Sequence, residues 1–263
     1  QSFLTGVNSA YNFLDFDGSD AFVDLGTDLT NWFESPNKSF SVWIKNSGNT
    51  SDNRIFNVGY SGSNTGFALG LDGGSTDNKP FYFLRESDGS GLKAEFGDVL
   101  NTTDWYHFAI SIDGTANEAY IYQNNSLKVT VSNVGEPSQG TVDSAKIGKH
   151  FSNSYTSYFN GEISNLAIWN KTLSSTEISA IYTAGRHANL LDSYSDNLKG
   201  YYAFGALDAV TGLADTDSTI YDRSGNSNHG TTSGTATGDL KSPPNAEPNG
   251  YAKGDTNRST TIP

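Results

Sequence analysis

Apolar and polar positions alternate along most of this chain with a period of two. In Tyr106–Ile112 the apolar residues Tyr106, Phe108, Ile110 and Ile112 alternate with His107, Ala109 and Ser111. That pattern is a strand with one face on a core. Similar runs predict strands near 11–17, 21–25, 39–46, 53–59, 66–71, 80–86, 92–96, 105–112, 118–123, 127–132, 144–148, 155–160 and 162–169. Asn124-Asn125 separates two of them as a two-residue hairpin, since Asn tolerates positive φ. Asn160-Gly161 reads as the turn ahead of the Ile163, Leu166, Ile168, Trp169 run. One segment breaks the rhythm. Ser174-x-x-Glu177 is a capping box, Ile178, Ile181 and Tyr182 form a narrow helical stripe, and Gly185 sits at the stop. A short helix is expected over 175–184. Trp43, Trp105 and Trp169 fall inside strand patterns and read as core, and His107 as a structural residue.

Residues 1–9 read as a polar arm, 10–235 as the main domain and 236–263 as a polar tail. A strand resumes at 199–204, and Asp222–Gly230 is a Gly/Asn turn. The stretch 200–263 either opens a second domain or completes the first. We favour completion, because residues 10–185 alone leave an unpaired sheet edge.

The 263 residues are 35% hydrophobic and 13% aromatic, with frequent Gly, which suits many short strands joined by tight turns. The formal charge is −13 and no Lys/Arg cluster is evident, which argues against nucleic-acid binding. There is no apolar run of membrane-spanning length. The absence of Cys means stability rests on packing, with or without a metal, and on no disulfide. The absence of Met, with Gln1 first, is expected of a trimmed chain: a cleaved signal peptide, a maturation cleavage or a processed polyprotein.

The pieces LDFDGSDAFVDLG (14–26), SFSVWIK (39–45), DWYHFAISIDG (104–114), AYIYQNNSLKVT (119–130) and the 144–185 block follow one another in a set order. In that order they resemble the laminin-G-like and pentraxin-like branch of the concanavalin A-like lectin/glucanase superfamily. The segment GYYAFG…STIYDRSGNSNHGT (200–231) is similar to the one that usually opens such a domain, here placed last. The resemblance implies an all-β, two-sheet antiparallel jelly-roll sandwich with one short helix. It also implies a protein that binds rather than transforms. The reordered domain is similar to laminin-G-like proteins of marine bacteriophage virions. The expectation is a non-catalytic virion appendage or decoration protein, extracellular or on the virion surface, contacting host-surface glycan. Its expected protein partners are copies of itself, in a homo-oligomer, or other virion proteins. A secreted bacterial adhesin or carbohydrate-binding protein is the alternative.

Asp222, Asn226 and Asn228, with Gly225 at the bend, could supply oxygens to Ca²⁺. Related domains often hold a structural Ca²⁺ near such loops, so Ca²⁺ is the expected cofactor, against a plain Asn/Gly turn. Asp17, Asp20 and Asp24 are a weaker metal candidate, and a structural turn is the favoured reading there. Pentraxins place Ca²⁺ ligands just after the strand matching Ala145–Gly148. This chain has Lys149 there, which repels Ca²⁺. A glycan surface is expected at His150, Phe151, Asn153, Tyr155 and Tyr158, with Asn160, since rings and amides suit sugar C–H faces and hydroxyls. Trp32, Tyr60 and Asp72 are weaker candidates. An enzyme of this superfamily would carry paired carboxylates on one strand, and the nearest strand has only Glu162. A polysaccharide-degrading enzyme is therefore the third reading. The histidines 107, 150, 187 and 229 lack zinc-like spacing.

Overall fold

The computed structural model describes residues 13–48, 53–60, 64–73, 78–85, 90–134, 142–204, 215–216, 218–234 and 240–241. The expected arm at 1–9 and the tail beyond 241 lie outside the described residues. Among the described residues there are two eight-stranded sheets, all of whose pairings are antiparallel. The first runs β10 (Ser126–Ser132), β9 (Glu118–Gln123), β8 (Trp105–Asp113), β3 (Lys38–Asn46), β12 (Asn160–Trp169), β1 (Phe13–Asp17), β16 (Leu240–Lys241), with β13 (Leu198–Tyr202) also on β12. The second runs β14 (Thr219–Ile220), β15 (Gly230–Ser233), β2 (Phe22–Asp24), β11 (Val142–Ile147), β4 (Asn53–Tyr60), β5 (Asn64–Asp72), β6 (Lys79–Arg85), β7 (Gly91–Glu95). The two helices are α1 (Thr30–Phe33) and α2 (Ser175–Ala184).

The inner faces enclose one aromatic-rich core. Phe40 stacks on Phe56 at 4.9 Å and 11°, and Trp32 meets Phe67 edge-on at 5.4 Å. These are the offset and edge arrangements that ring quadrupoles favour. Trp32 is 1% exposed, so it belongs to this core and is not a loop ligand residue. It sits on α1, a single turn that carries no helical periodicity to read.

A second apolar cluster covers the outer face of the first sheet. Ile178 and Ile181 of α2, with Leu190 and Leu198, pack on Ala167, Trp169 and Tyr201. The Ser174–Glu177 capping box is formed as expected. Gly185 has positive φ (84°) but extended ψ (172°), so it ends α2 without an αL residue. Trp43 stacks on Tyr182 of α2 at 5.5 Å, and Trp169 Nε1 donates to the Tyr194 carbonyl at 2.8 Å. The part of this sheet face under α2 and the 186–198 connector is therefore covered by the chain itself.

Two readings of the strands need correction. The 155–160 and 162–169 runs are not two strands around an Asn160-Gly161 turn, because both residues lie inside β12. A Cβ on Gly161 would sit 2.3 Å from the Lys45 carbonyl, so this glycine serves close strand approach. Leu240–Lys241, expected in the tail, pairs with Phe13–Leu14 at the sheet edge. Residues 198–233 contribute β13 to one sheet and β14 and β15 to the other.

Candidate functional site

Among the described residues, no helix lies over the outer face of the second sheet. Its residues follow from strand parity. Phe22 and Asp24 stand on β2, Lys146 on β11 opposite Asp24 and Asn57, and Gly70 on β5 opposite Phe81. Arg54 and Lys93 both lie over the Phe81 ring, 4.5 and 4.4 Å from its centroid. On a chain with formal charge −13, this face is locally cationic and aromatic.

The loop between β11 and β12 folds back across that face. Lys149 and Tyr158 bridge in antiparallel fashion, and His150 N donates to the Ser157 carbonyl at 3.2 Å. Phe151 N donates to Asn57 Oδ1 at 3.0 Å, and Asn57 Nδ2 to the Phe67 carbonyl at 2.8 Å. Phe151 is thus tied to the sheet and only 7% exposed. It packs where Gly59 leaves room: a Cβ on Gly59 would lie 2.1 Å from the ring. Phe151 is an anchor beneath the loop, which corrects its expected role as a ligand-facing ring. Gly59→Ala is expected to lift this loop at a cost of about 1–3 kcal/mol. It should also weaken any ligand held by the loop, read by urea unfolding and titration on the same sample; unchanged values for both would contradict the anchor.

The other expected residues do come together. His150 and Tyr155 have ring centroids 4.4 Å apart, but only Tyr155, 57% exposed, faces outward; His150 is 7% exposed and backs it, which corrects its expected role as a ligand-facing ring. Ser152 N donates to His150 Nδ1 at 3.1 Å, so the neutral ring carries its proton on Nε2. Burial, with Arg54 nearby, pushes the His150 pKa down to about 4. Asn153 is exposed, and its Oδ1 accepts from Lys146 Nζ at 2.8 Å and Lys149 Nζ at 3.4 Å. Tyr158 is half-buried, with Lys149 Nζ 4.8 Å from its ring. Asn160 lies apart, donating from Nδ2 to the Gly48 carbonyl. Beside the loop, an open cleft of about 620 Å³ is lined by Phe22, Asp24, Asp28, His229, Thr231 and Ser233, among others.

The loop expected to hold Ca²⁺ is knitted differently. Asp222 is 2% exposed, and its carboxylate accepts from Tyr201 N, Ser224 N, Ser224 Oγ and Asn228 N at 2.8–3.0 Å. Asn226 and Asn228 turn their Nδ2 groups toward the Leu198 and Lys199 carbonyls. Donors, not lone pairs, converge on Asp222, so Asp222, Asn226 and Asn228 as arranged do not fit a Ca²⁺ ion. The Asp17 turn is similar. Its Oδ1 accepts from the Ser19, Asp20 and Ala21 amides at 2.9–3.1 Å. Burial raises the Asp17 pKa, but the bonds from Ser19, Ala21 and Asp20 outweigh it and hold the value at about 2. That turn carries the chain from one sheet to the other, since β1 and β2 do not pair. Among the described residues, no group of three or more His, Cys, Asp or Glu is placed to hold a metal.

Glu162 is 3.5 Å from Lys45 and stands opposite Asp15 across β1, a neighbour that reading along one strand could not find. Burial pushes the Glu162 pKa up, Lys45 opposes this, and Asp15 adds to it.

A two-sheet antiparallel sandwich, one outer face packed by its own chain and the other open, is the architecture of the lectin-like jelly rolls. The laminin-G-type family profile described as concanavalin A-like lectin/glucanases superfamily matches residues 17–179, and the chain belongs to that superfamily. No protein of curated function matches it in sequence. Among solved structures it is similar to a Bacteroides ovatus protein described as a candidate carbohydrate-binding protein. The TM-score is 0.61 with 15% identity, over 90% of this chain and 66% of that one. It thus spans just under two thirds of that protein's length. A heptameric SAP-like pentraxin of Limulus polyphemus matches with TM-score 0.53 and 18% identity, over 70% of this chain and 88% of that one. CBM40 of the Ruminococcus gnavus IT-sialidase, bound to α2,3-sialyllactose, matches with TM-score 0.52 and 16% identity, over 66% of this chain and all (100%) of that one.

Proposed function

We propose that this protein is a non-catalytic, surface-exposed recognition module that binds glycan on the open face of the second sheet. The observation that carries the reading is the Tyr155 ring, 57% exposed on a tethered loop and backed at 4.4 Å by the buried His150 ring (7% exposed). A ring presented and backed this way offers an apolar platform for sugar C–H faces, and the neighbouring amide and cleft hydroxyls supply polar partners. The carbohydrate-binding descriptions of structural neighbours support the same reading. The setting we propose is a virion appendage or decoration contacting host-surface glycan, alone or in a symmetric oligomer. A secreted bacterial carbohydrate-binding protein or adhesin is the second reading, favoured by the bacterial origin of two neighbours. Capsid and tail genes beside the coding sequence would support the first, and a signal peptide upstream of Gln1 the second.

Binding to an immobilised panel of bacterial and algal polysaccharides tests the reading. Tyr155→Ala is expected to weaken the best ligand about fivefold to tenfold while leaving the melting point unchanged. Retention of full affinity in that variant would move the site elsewhere. Release of reducing ends from any of these polymers would revive the enzyme reading, with Glu162 and Asp15 the carboxylates to replace first.

A further inference from the structure

Lys146 and Lys149 are 3% and 5% exposed, and both point their ammonium groups at one atom, Asn153 Oδ1. The ring of Phe22 lies beside both, 5.1 Å from Lys146 Nζ and 4.6 Å from Lys149 Nζ. The carboxylate facing them is Asp24, 3.8 Å from Lys146 and itself 41% exposed. Burial lowers the Lys146 pKa, Asp24 opposes that, and Lys149 lowers it further. Two buried cations converging on a neutral amide oxygen are under-compensated, and buried charge is costly unless it is paired. Lys38 shows the contrast: buried to a similar degree at 4% exposed, its Nζ donates to the Phe33 and Ser35 carbonyls, both at 2.7 Å. The amide that caps the pair is not buried; Asn153 lies on the exposed lip of the loop. Phe22 and Asp24 also line the open cleft, so the lysine pair borders a space large enough for a sugar ring.

We propose that Lys146 and Lys149 form an anion-recognition point for acidic sugars, with Asn153 Oδ1 as a resident stand-in that a ligand carboxylate or sulfate ester displaces. The proposal rests on the glycan reading and names the class of glycan. Both ammonium groups would then donate charge-assisted hydrogen bonds to one anionic group, which a neutral amide accepts less strongly. The sugar ring would lie toward Phe22 and the cleft, its acidic substituent toward the lysines.

The test is isothermal titration of the full chain with oligogalacturonate, a heparin tetrasaccharide and maltotetraose. The first two separate carboxylate from sulfate ester, and the third is the neutral reference. At least one acidic ligand should bind more tightly than maltotetraose, with affinity falling as salt rises. Lys149→Gln should weaken that ligand about tenfold without changing maltotetraose binding. Asn153→Ala should tighten it severalfold by removing the competitor, an effect that a merely structural Asn153 would not produce. Lys146→Met serves as the second cation variant, checked for folding by circular dichroism. Equal affinities for acidic and neutral ligands, unchanged in Lys149→Gln, would overturn the anion site and leave glycan binding standing. If none of the oligosaccharides binds, sodium sulfate against sodium chloride at fixed ionic strength decides. A sulfate-dependent rise in melting point that Lys149→Gln abolishes keeps the anion site and removes the glycan reading. No rise overturns both.

Discussion

Asp222→Ala is expected to cost the fold about 3–5 kcal/mol, the largest loss from any single surface-loop position. The carboxylate is 2% exposed and serves as the hub for four donors, the amides of Tyr201, Ser224 and Asn228 and the Ser224 hydroxyl. Truncation strands these donors, and a buried donor without a partner loses the full desolvation penalty. The damage spreads because the segment around it is stitched at neighbouring points. Arg223 N donates to the Tyr201 carbonyl at 2.8 Å, and the buried Arg223 guanidinium pairs with Asp215 at 3.2 Å. Tyr221 N donates to Asp215 Oδ1 at 2.7 Å. Loss of the hub therefore loosens β13 in one sheet and β14 in the other together. Urea unfolding should show the lowered midpoint equally in Ca²⁺ and in EGTA, since Asp222 is engaged by protein donors. A loss below about 1 kcal/mol would mean that water replaces the carboxylate easily. A wild-type midpoint that rises with Ca²⁺, with the rise lost in Asp222→Ala, would restore the metal site and overturn the hydrogen-bond hub.

The fold was legible where its causes are local. The Ser174 capping box and the Ile178, Ile181 stripe placed α2 correctly, because both are written within ten residues. Asn124 and Asn125 both adopt positive φ (49° and 63°), as a two-residue hairpin demands. Period two placed the longer strands but not β14, β15 or β16, which are too short to show a period. It could not distinguish Gly161 in a turn from Gly161 against the Lys45 carbonyl, because the partner comes from β3. The site was half legible for the same reason. Residue type in a loop points to Asn153, Tyr155 and Tyr158, which is local information, but cannot tell that His150 is buried beneath Tyr155. Phe151 was misassigned because its partner Gly59 lies on β4. Lys149 reads from sequence as hostile to Ca²⁺, but nothing in the strand pattern singles out Lys146. Strict alternation after Lys146 would next place Gly148 outward. Gly148 has φ 82°, leaving the extended run, and Lys149 arrives beside Lys146. The signal available in sequence was the Lys-Ile-Gly-Lys spacing, with the glycine marking the break in alternation.

The second large effect is a loss of stability in mild acid, centred on His107. This side chain is 0% exposed, its Nε2 lies 2.8 Å from Ser41 Oγ, and its ring packs against the stacked Trp43 and Tyr182 rings at 5.0 and 5.7 Å. Burial lowers its pKa from 6.5 to about 3. The unfolded chain protonates His107 near pH 6.5 and the folded chain does not, so the unfolded state binds more protons throughout the interval. Stability must then fall as pH drops, starting near 6.5 and continuing to about 3. Each pH unit inside that window costs about 1.4 kcal/mol per histidine, so His107 alone removes about 3 kcal/mol between pH 6.5 and 4. Burial lowers His150 to about 4, and burial with Arg186 lowers His187 to about 3, which steepens the slope. Glu162 opposes the trend weakly, because its raised pKa means the folded state takes up its proton first. Urea unfolding from pH 7 to 4.5 should show the decline. His107→Gln can keep a polar contact to Ser41 but has no titrating group. It should start from lower stability at pH 7 and fall more shallowly, by about 1.4 kcal/mol per pH unit. Parallel slopes for the two proteins would mean that His107 protonates within the folded sheet, and that α2 opens to admit the charge before the sandwich itself unfolds.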